Sequence, residues 1–224
     1  MGLRMPLKML LTTFIELAFY LGNYMVKNKK YRLKIKHERL RNKKLLKKYP
    51  WLKPYNVWTG KTWKDYRYET TWADDLPRGW RKAFGDMMFE EIDNVLKQTN
   101  TTIYIEQIKE KYGQLRFYFS GTAELYDIVE KYSILSENIC IKCGKPDTPM
   151  LNTSWICPVC QECFEDNQRK NQYAPKGHYT DYVCGDSRMA DEMHWWEYQP
   201  DGTKRECIID IKDTADKIRA RYRK

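Results

Sequence analysis

The sequence predicts an α+β protein: a helix–β-hairpin–helix core, preceded by a basic helical arm and followed by a small cysteine-rich ribbon. Three observations carry this. Between residues 72 and 136 the apolar period changes from that of a helix to the alternation of strands and back again. Two C-x-x-C pairs follow, Cys140 with Cys143 and Cys157 with Cys160. Ahead of both, residues 1–53 hold 15 Lys and Arg against Glu16 and Glu38, whereas the rest of the chain is slightly acidic. The net charge of +10 therefore belongs to the N-terminal segment. An aromatic content of 14% excludes a wholly disordered chain, because rings at that density bury enough surface to drive folding. Only 11 Gly and 9 Pro exclude collagen-like and low-complexity classes.

The arm is assigned to residues 1–48. Leu7, Leu10, Leu11, Phe14, Leu17, Ala18, Leu21 and Met25 recur at helical spacing and make a wide apolar face. Thr12, Thr13, Glu16, Gly22 and Asn23 interrupt the run, so it falls short of the ~20 nearly uninterrupted apolar residues a membrane span needs. No small-residue cleavage site follows, which argues against a signal peptide. An amphipathic helix is expected, packed on the domain, on another copy or on a membrane surface. Lys27–Lys48 then holds twelve positive residues and one acid. Such a run repels itself unless an anionic surface neutralises it. Nucleic acid and anionic lipid are the candidate partners, and the candidate phosphate contacts are Lys27, Lys29, Lys30, Arg32, Lys34, Lys36, Arg39, Arg41, Lys43 and Lys44.

Residues 49–138 form the expected aromatic-rich domain. Eight aromatics fall within 49–72, and Val57–Trp63 is read as a short hairpin. Rings beside Lys and Arg can stack on bases, but core cover is the favoured reading here, since aromatics dominate core burial. Asp74 and Asp75 offer an N-cap, and Pro77 suits a first helical turn. Trp80, Phe84, Met87, Met88, Ile92, Val95 and Leu96 continue a helical stripe to about Gln98. Thr101–Glu110 alternates, Tyr112-Gly113 turns the chain, and Leu115–Phe119 returns, which predicts an antiparallel hairpin. Leu125, Ile128, Val129, Tyr132 and Leu135 mark a helix over about 122–136.

A zinc ribbon is assigned to residues 139–165. Cys140, Cys143, Cys157 and Cys160 supply the four thiolates that a tetrahedral zinc prefers, and Gly144 permits the left-handed backbone of the first turn. Thirteen residues separate the pairs, slightly under the usual ~15–20. Cys163 stands three residues beyond Cys160 and is an alternate ligand. One structural ion is expected, because four thiolates leave no open position for a water nucleophile. A redox dithiol at Cys157/Cys160 is disfavoured by the first pair and by the lack of a βαβ context. An odd cysteine count argues against secreted disulfides.

Residues 166–224 form a tail with a β-hairpin around Pro200-Asp201-Gly202 and a terminal helix over Asp213–Arg223. His178, Cys184, His194 and Cys207 are too scattered to define a second metal site by spacing.

The segments DDLPRGWRKAFG (Asp74–Gly85), IKEKYGQLRFYF (Ile108–Phe119), CIKCGKP (Cys140–Pro146) and WICPVCQEC (Trp155–Cys163) resemble a set of uncharacterised phage-encoded zinc-ribbon proteins. The similarity covers about residues 72–163. It implies a phage origin and the cytoplasm of an infected bacterial host, and no reaction.

The function expected is that of a non-catalytic accessory protein that binds nucleic acid largely through phosphates. The alternatives are a module that binds or inhibits a host protein, and a peripheral membrane protein held by the N-terminal arm. No Ser-His-Asp order, phosphate loop or HExxH motif is present. Glu106, Glu110, Arg116 and Tyr118 near the hairpin could line a pocket, but strand surfaces normally carry such residues.

Overall fold

The computed structural model describes residues 29–223. The apolar run Leu7–Met25 and Lys27 lie outside them. The elements in chain order are α1 (29–48), the 3-10 turns Pro50–Leu52 and Trp72–Asp75, and α2 (Arg78–Trp80). A π-turn (Arg81–Gly85) carries α2 directly into α3 (Asp86–Thr99). Then come β1 (Tyr104–Lys111), β2 (Gln114–Ser120), α4 (Ala123–Ser136), β3 (Met150–Asn152), β4 (Ile156–Pro158) and α5 (Gln161–Lys170). The chain finishes with the 3-10 turn Tyr179–Tyr182, β5 (Glu192–Tyr198), β6 (Lys204–Asp210) and α6 (Lys212–Tyr222). The strands make three separate antiparallel hairpins, β1–β2, β3–β4 and β5–β6, so the protein is mixed α and β.

The core forms where the apolar periods meet. Trp80, Phe84, Met88 and Ile92 recur every four residues and are fully buried. The α2–α3 stretch starts behind Pro77, because Asp74 is already engaged: its carboxylate accepts from the Thr71 N–H and hydroxyl, at 2.8 and 3.0 Å, and closes the 3-10 turn before the helix. Asn100, in the left-handed region at φ 51°, ends α3 by donating to Leu96 O.

Tyr112 and Gly113 both have positive φ, the backbone of a type I′ turn, and join β1 to β2 with Lys111 opposite Gln114. A bulge between Ile105 and Gln107 shifts the register. Without it Ile108 would point away from Ile105; with it Ile103, Ile105 and Ile108 are all buried. Helix α4 covers β2 and satisfies its free edge. The Ser133 hydroxyl donates to Leu115 O at 2.7 Å, and Leu115 N–H donates to Ser136 Oγ at 2.8 Å. Tyr132 of α4 stacks on Phe84 with ring centroids 5.2 Å apart.

The terminal helix is part of this core. Ile211, Ala215 and Ile218 are buried in it beside Met189 and Met193. Arg219 ties α6 to the loop after Cys143 by donating to both Asp147 carboxylate oxygens, at 2.9 and 3.0 Å. The second half of the arm is docked too: Asn42 and Tyr49 are buried, and Leu45 and Leu46 pack on the core.

Segment 49–72 departs from expectation. Val57–Trp63 is a turn without strands, closed by Asn56 N–H on Lys61 O. Its rings divide: Tyr49 is buried, Trp51 and Trp72 pack against the core, but Trp58 is 91% and Trp63 55% exposed. Core cover is therefore not the role of the outer rings.

Candidate functional site

The first half of the cysteine site is a tight turn seated on the core. Cys140 N–H donates to Lys145 O and Gly144 N–H donates back to Cys140 O. Gly144 has φ 86° and meets Gly79 so closely that a Cβ on Gly144 would lie 2.7 Å from Gly79 O. A Cβ on Gly79 would lie 2.1 Å from Cys140 O. Two backbones can touch this closely only because both residues are glycine. Gly79 N–H donates to Ile141 O and the Trp80 indole to Ile139 O, at 2.9 and 2.8 Å.

The second half is a helix start. Cys160 is the N-cap of α5 and Cys163 lies three residues on, so both thiols share one face of the first turn. The Sγ atoms of Cys140, Cys143, Cys160 and Cys163 all lie within 4.8 Å of one another, with Cys143 and Cys160 at 3.6 Å. Zinc–sulfur bonds of about 2.3 Å in a tetrahedron place the sulfurs about 3.8 Å apart, so the donor set fits such an ion. Among the described residues this is the one group of ligand atoms close enough to hold a metal.

Cys157 is therefore replaced by Cys163, and the second pair is not the second turn of a ribbon. Cys157 lies in β4 opposite Leu151 and packs in a small cluster with Leu151, Val159 and Phe164. Burial, with Glu110 nearby, pushes its thiol up to about 11. A signal for Cys163 was present. Cys160 and Cys163 are themselves a C-x-x-C pair, and sixteen residues separate Cys143 from Cys160, within the usual range. The expected end of the ribbon at residue 165 falls inside α5.

The electrostatics suit a cation. The Cys160 thiol and the amides of Cys160, Cys143 and Lys142 hold Cys140 well below the ordinary thiol range. Its thiolate, together with burial, pushes Cys160 up, while burial first and then Cys140 raise Cys163. Four thiolates this close repel, and a bound divalent ion lets all of them ionise. A tetrathiolate around one such ion keeps two negative charges. The cleft of about 390 Å³ against Cys143 and Cys163 is lined by Arg78, Lys82 and Lys142, cations that offset them, while Lys170 in the same cleft pairs with Asp166 at 2.7 Å.

His178, Cys184, His194 and Cys207 are not gathered with these thiols. His178 precedes the 3-10 turn, where its N–H donates to Asp181. His194 lies between Glu192 and Glu206 on the β5–β6 hairpin. Cys207 faces Trp195 across that hairpin, and Cys184 bonds to Met150 O. Glu110 serves structure, accepting from Gly113 N–H and the Trp155 indole, while Glu106 accepts from the Ser120 hydroxyl. Arg116 and Tyr118 line a cleft of about 350 Å³ between β2, α4 and β5.

The basic arm also divides. Lys29, Lys30, Arg32, Lys34, Lys36, Lys43 and Lys44 are exposed along α1. Arg39 and Arg41 are turned to internal partners instead. Arg39 donates to Glu69 at 2.9 Å, and Arg41 pairs with Asp74, which Arg81 also contacts. Their acidic partners lie about thirty residues away in sequence, beyond the reach of a local charge count. Among the described residues no helix is long and apolar enough to cross a membrane.

Comparison with known protein families, characterised proteins and solved structures finds no match.

Proposed function

We propose that this is a zinc-stabilised protein that binds nucleic acid through phosphate contacts on the outward face of α1. The supporting observation is that the C-terminal part of α1 is anchored by Asn42, Leu45 and Leu46, with Tyr49 buried just beyond it, while Lys29, Lys30, Lys36, Lys43 and Lys44 stand in solvent. A row of cations on a helix docked at one end neutralises phosphates with less ordering than a loose arm needs. The zinc, held by Cys140, Cys143, Cys160 and Cys163, is structural and fixes the loop on which α2 and α6 rest. No reaction is assigned to the chain.

Binding of a labelled duplex by the zinc-loaded full-length chain, followed by anisotropy across a salt series, tests the reading. Each neutralised phosphate contributes a slope of about −0.9 in log K against log salt, so a slope of about −4 or steeper is expected. The triple variant Lys29→Glu, Lys30→Glu, Lys36→Glu should lose most of this slope while keeping its thermal midpoint. Salt-independent binding, or a slope the triple variant retains, would refute the proposal.

A further inference from the structure

Beside α1 the turn at 67–69 closes a groove of about 520 Å³. Resting on the nucleic-acid reading above, we infer that this groove takes single-stranded nucleic acid, with phosphates on Arg32, Lys36, Lys43 and Arg67 and a base against the Tyr68 ring.

The cations are aligned. Arg32, Lys36 and Lys43 follow one another at four and seven residues, a single stripe about 16 Å long on α1. Arg67 faces them across the groove. Among the described residues none of the four is in an ion pair, although neighbouring Lys34, Arg39 and Arg41 each are. The floor between them is apolar, from Ile35 and Leu40.

Tyr68 is held in place by its neighbours. Its φ of 65° is in the left-handed region, which a tyrosine adopts only when its surroundings over-determine it. Here they do. Asn42, fully buried, donates to Tyr68 O at 3.0 Å. On the next residue, Glu69 accepts from Arg39 at 2.9 Å and from Arg67 N–H at 2.7 Å. The Tyr66 ring stands 5.5 Å from that of Tyr68. The same loop carries the exposed rings of Trp58 and Trp63.

These features select a single strand. A duplex hides its base faces and offers phosphates alone, so an aromatic ring and an apolar floor between the cations would contribute nothing to it. An unpaired strand uses both, through backbone charge and base stacking.

The experiment compares an oligothymidylate with a duplex of equal length, using the zinc-loaded full-length chain and anisotropy. Tyr68→Asn removes the ring and keeps a residue that tolerates the left-handed backbone, and Tyr68→Phe keeps the ring. Tighter binding of the single strand is expected, weakened about tenfold by Tyr68→Asn, with a change under about twofold on the duplex and for Tyr68→Phe. Thermal midpoints confirm that each variant is folded. Equal loss on both ligands, or no loss on either, overturns the inference while leaving phosphate binding intact. Binding of neither ligand removes both it and the reading it rests on. Binding to phosphatidylserine vesicles that is sensitive to Tyr68→Asn, without oligonucleotide binding, gives the groove to lipid and also overturns it.

Discussion

Two regions of this molecule are held together by different forces. The core around α3, β1–β2, α4 and α6 buries Trp80, Phe84, Met88, Phe89, Ile92 and Tyr132, among many others. The stretch from Cys140 to Val183 has a small cluster of its own, Leu151, Val159 and Phe164. Three buried side chains are far fewer than a stretch of that length needs to offset the entropy of ordering its backbone. Burial suffices for the first region, whereas the second needs a crosslink, and four converging thiols can supply one through a metal.

Metal removal is the largest expected break in this comparison. For structural zinc, binding linked to folding is worth on the order of 10 kcal/mol or more. Chelation should expose the amides from Ile141 to Tyr182 to hydrogen exchange while those of Ile92 and Leu115 stay protected. Uniform loss of protection in both regions would mean that the metal holds the whole chain and that the two-force picture is wrong.

Next in size is the choice of ligands. Cys163→Ala should weaken binding of cobalt, read by its thiolate charge-transfer absorption, more than about a hundredfold, beyond the scale that outer-shell partners reach. Cys157→Ala should keep one four-sulfur ion and lose no more than about 1–2 kcal/mol of stability. The opposite ranking would restore Cys157 to the quartet.

The seam between the regions is probed by Gly79→Ala. On helix propensity alone this change would stabilise by up to about 1 kcal/mol. Its Cβ would meet Cys140 O and the carbonyl of Ile141, which are backbone atoms fixed by the Cys140–Lys145 turn. A net cost of about 3 kcal/mol in urea unfolding is expected. A stabilised variant would show that the Cys140–Lys145 turn does not press on α2.

What the sequence reveals about such a protein follows the range of the forces involved. Helix α3, the β1–β2 hairpin and α4 are legible because their apolar periods are local and long. The bulge at Glu106 is not, since a single inserted residue reverses the parity that the alternation argument uses. Cys160 belongs to two overlapping C-x-x-C pairs; the spacing from Cys143 leans toward the pair with Cys163, and the helical turn beneath Cys163 brings that thiol to the other three. Trp58 and Tyr49 lie in equally aromatic surroundings, yet one is exposed and the other buried. The burial of α6 rests on Ile211, Ala215 and Ile218 alone, a helical apolar stripe of only three positions in a charged segment, and the core they reach is formed largely by residues more than seventy positions earlier.

The smallest effect concerns how α6 is latched to the metal-bearing loop. Burial opposes ionisation of Asp147, but the Arg219 guanidinium and the Met189 N–H outweigh it and hold the carboxyl below its ordinary range. A depressed folded-state value means that this stabilisation is complete above the unfolded pKa of about 3.9 and fades as pH falls through the folded value. Asp147 is 39% exposed, so solvent screening limits the pair to about 1 kcal/mol. Asp147→Asn should therefore lower stability by about that much at pH 7, with the same deficit at about pH 5. Arg219 keeps Asp216 at 2.8 Å in the variant, so the helix should stay docked. A deficit that disappears between neutrality and about pH 6 would lie too high for a depressed carboxyl, and would point to protonation of the cysteine ligands and release of the metal.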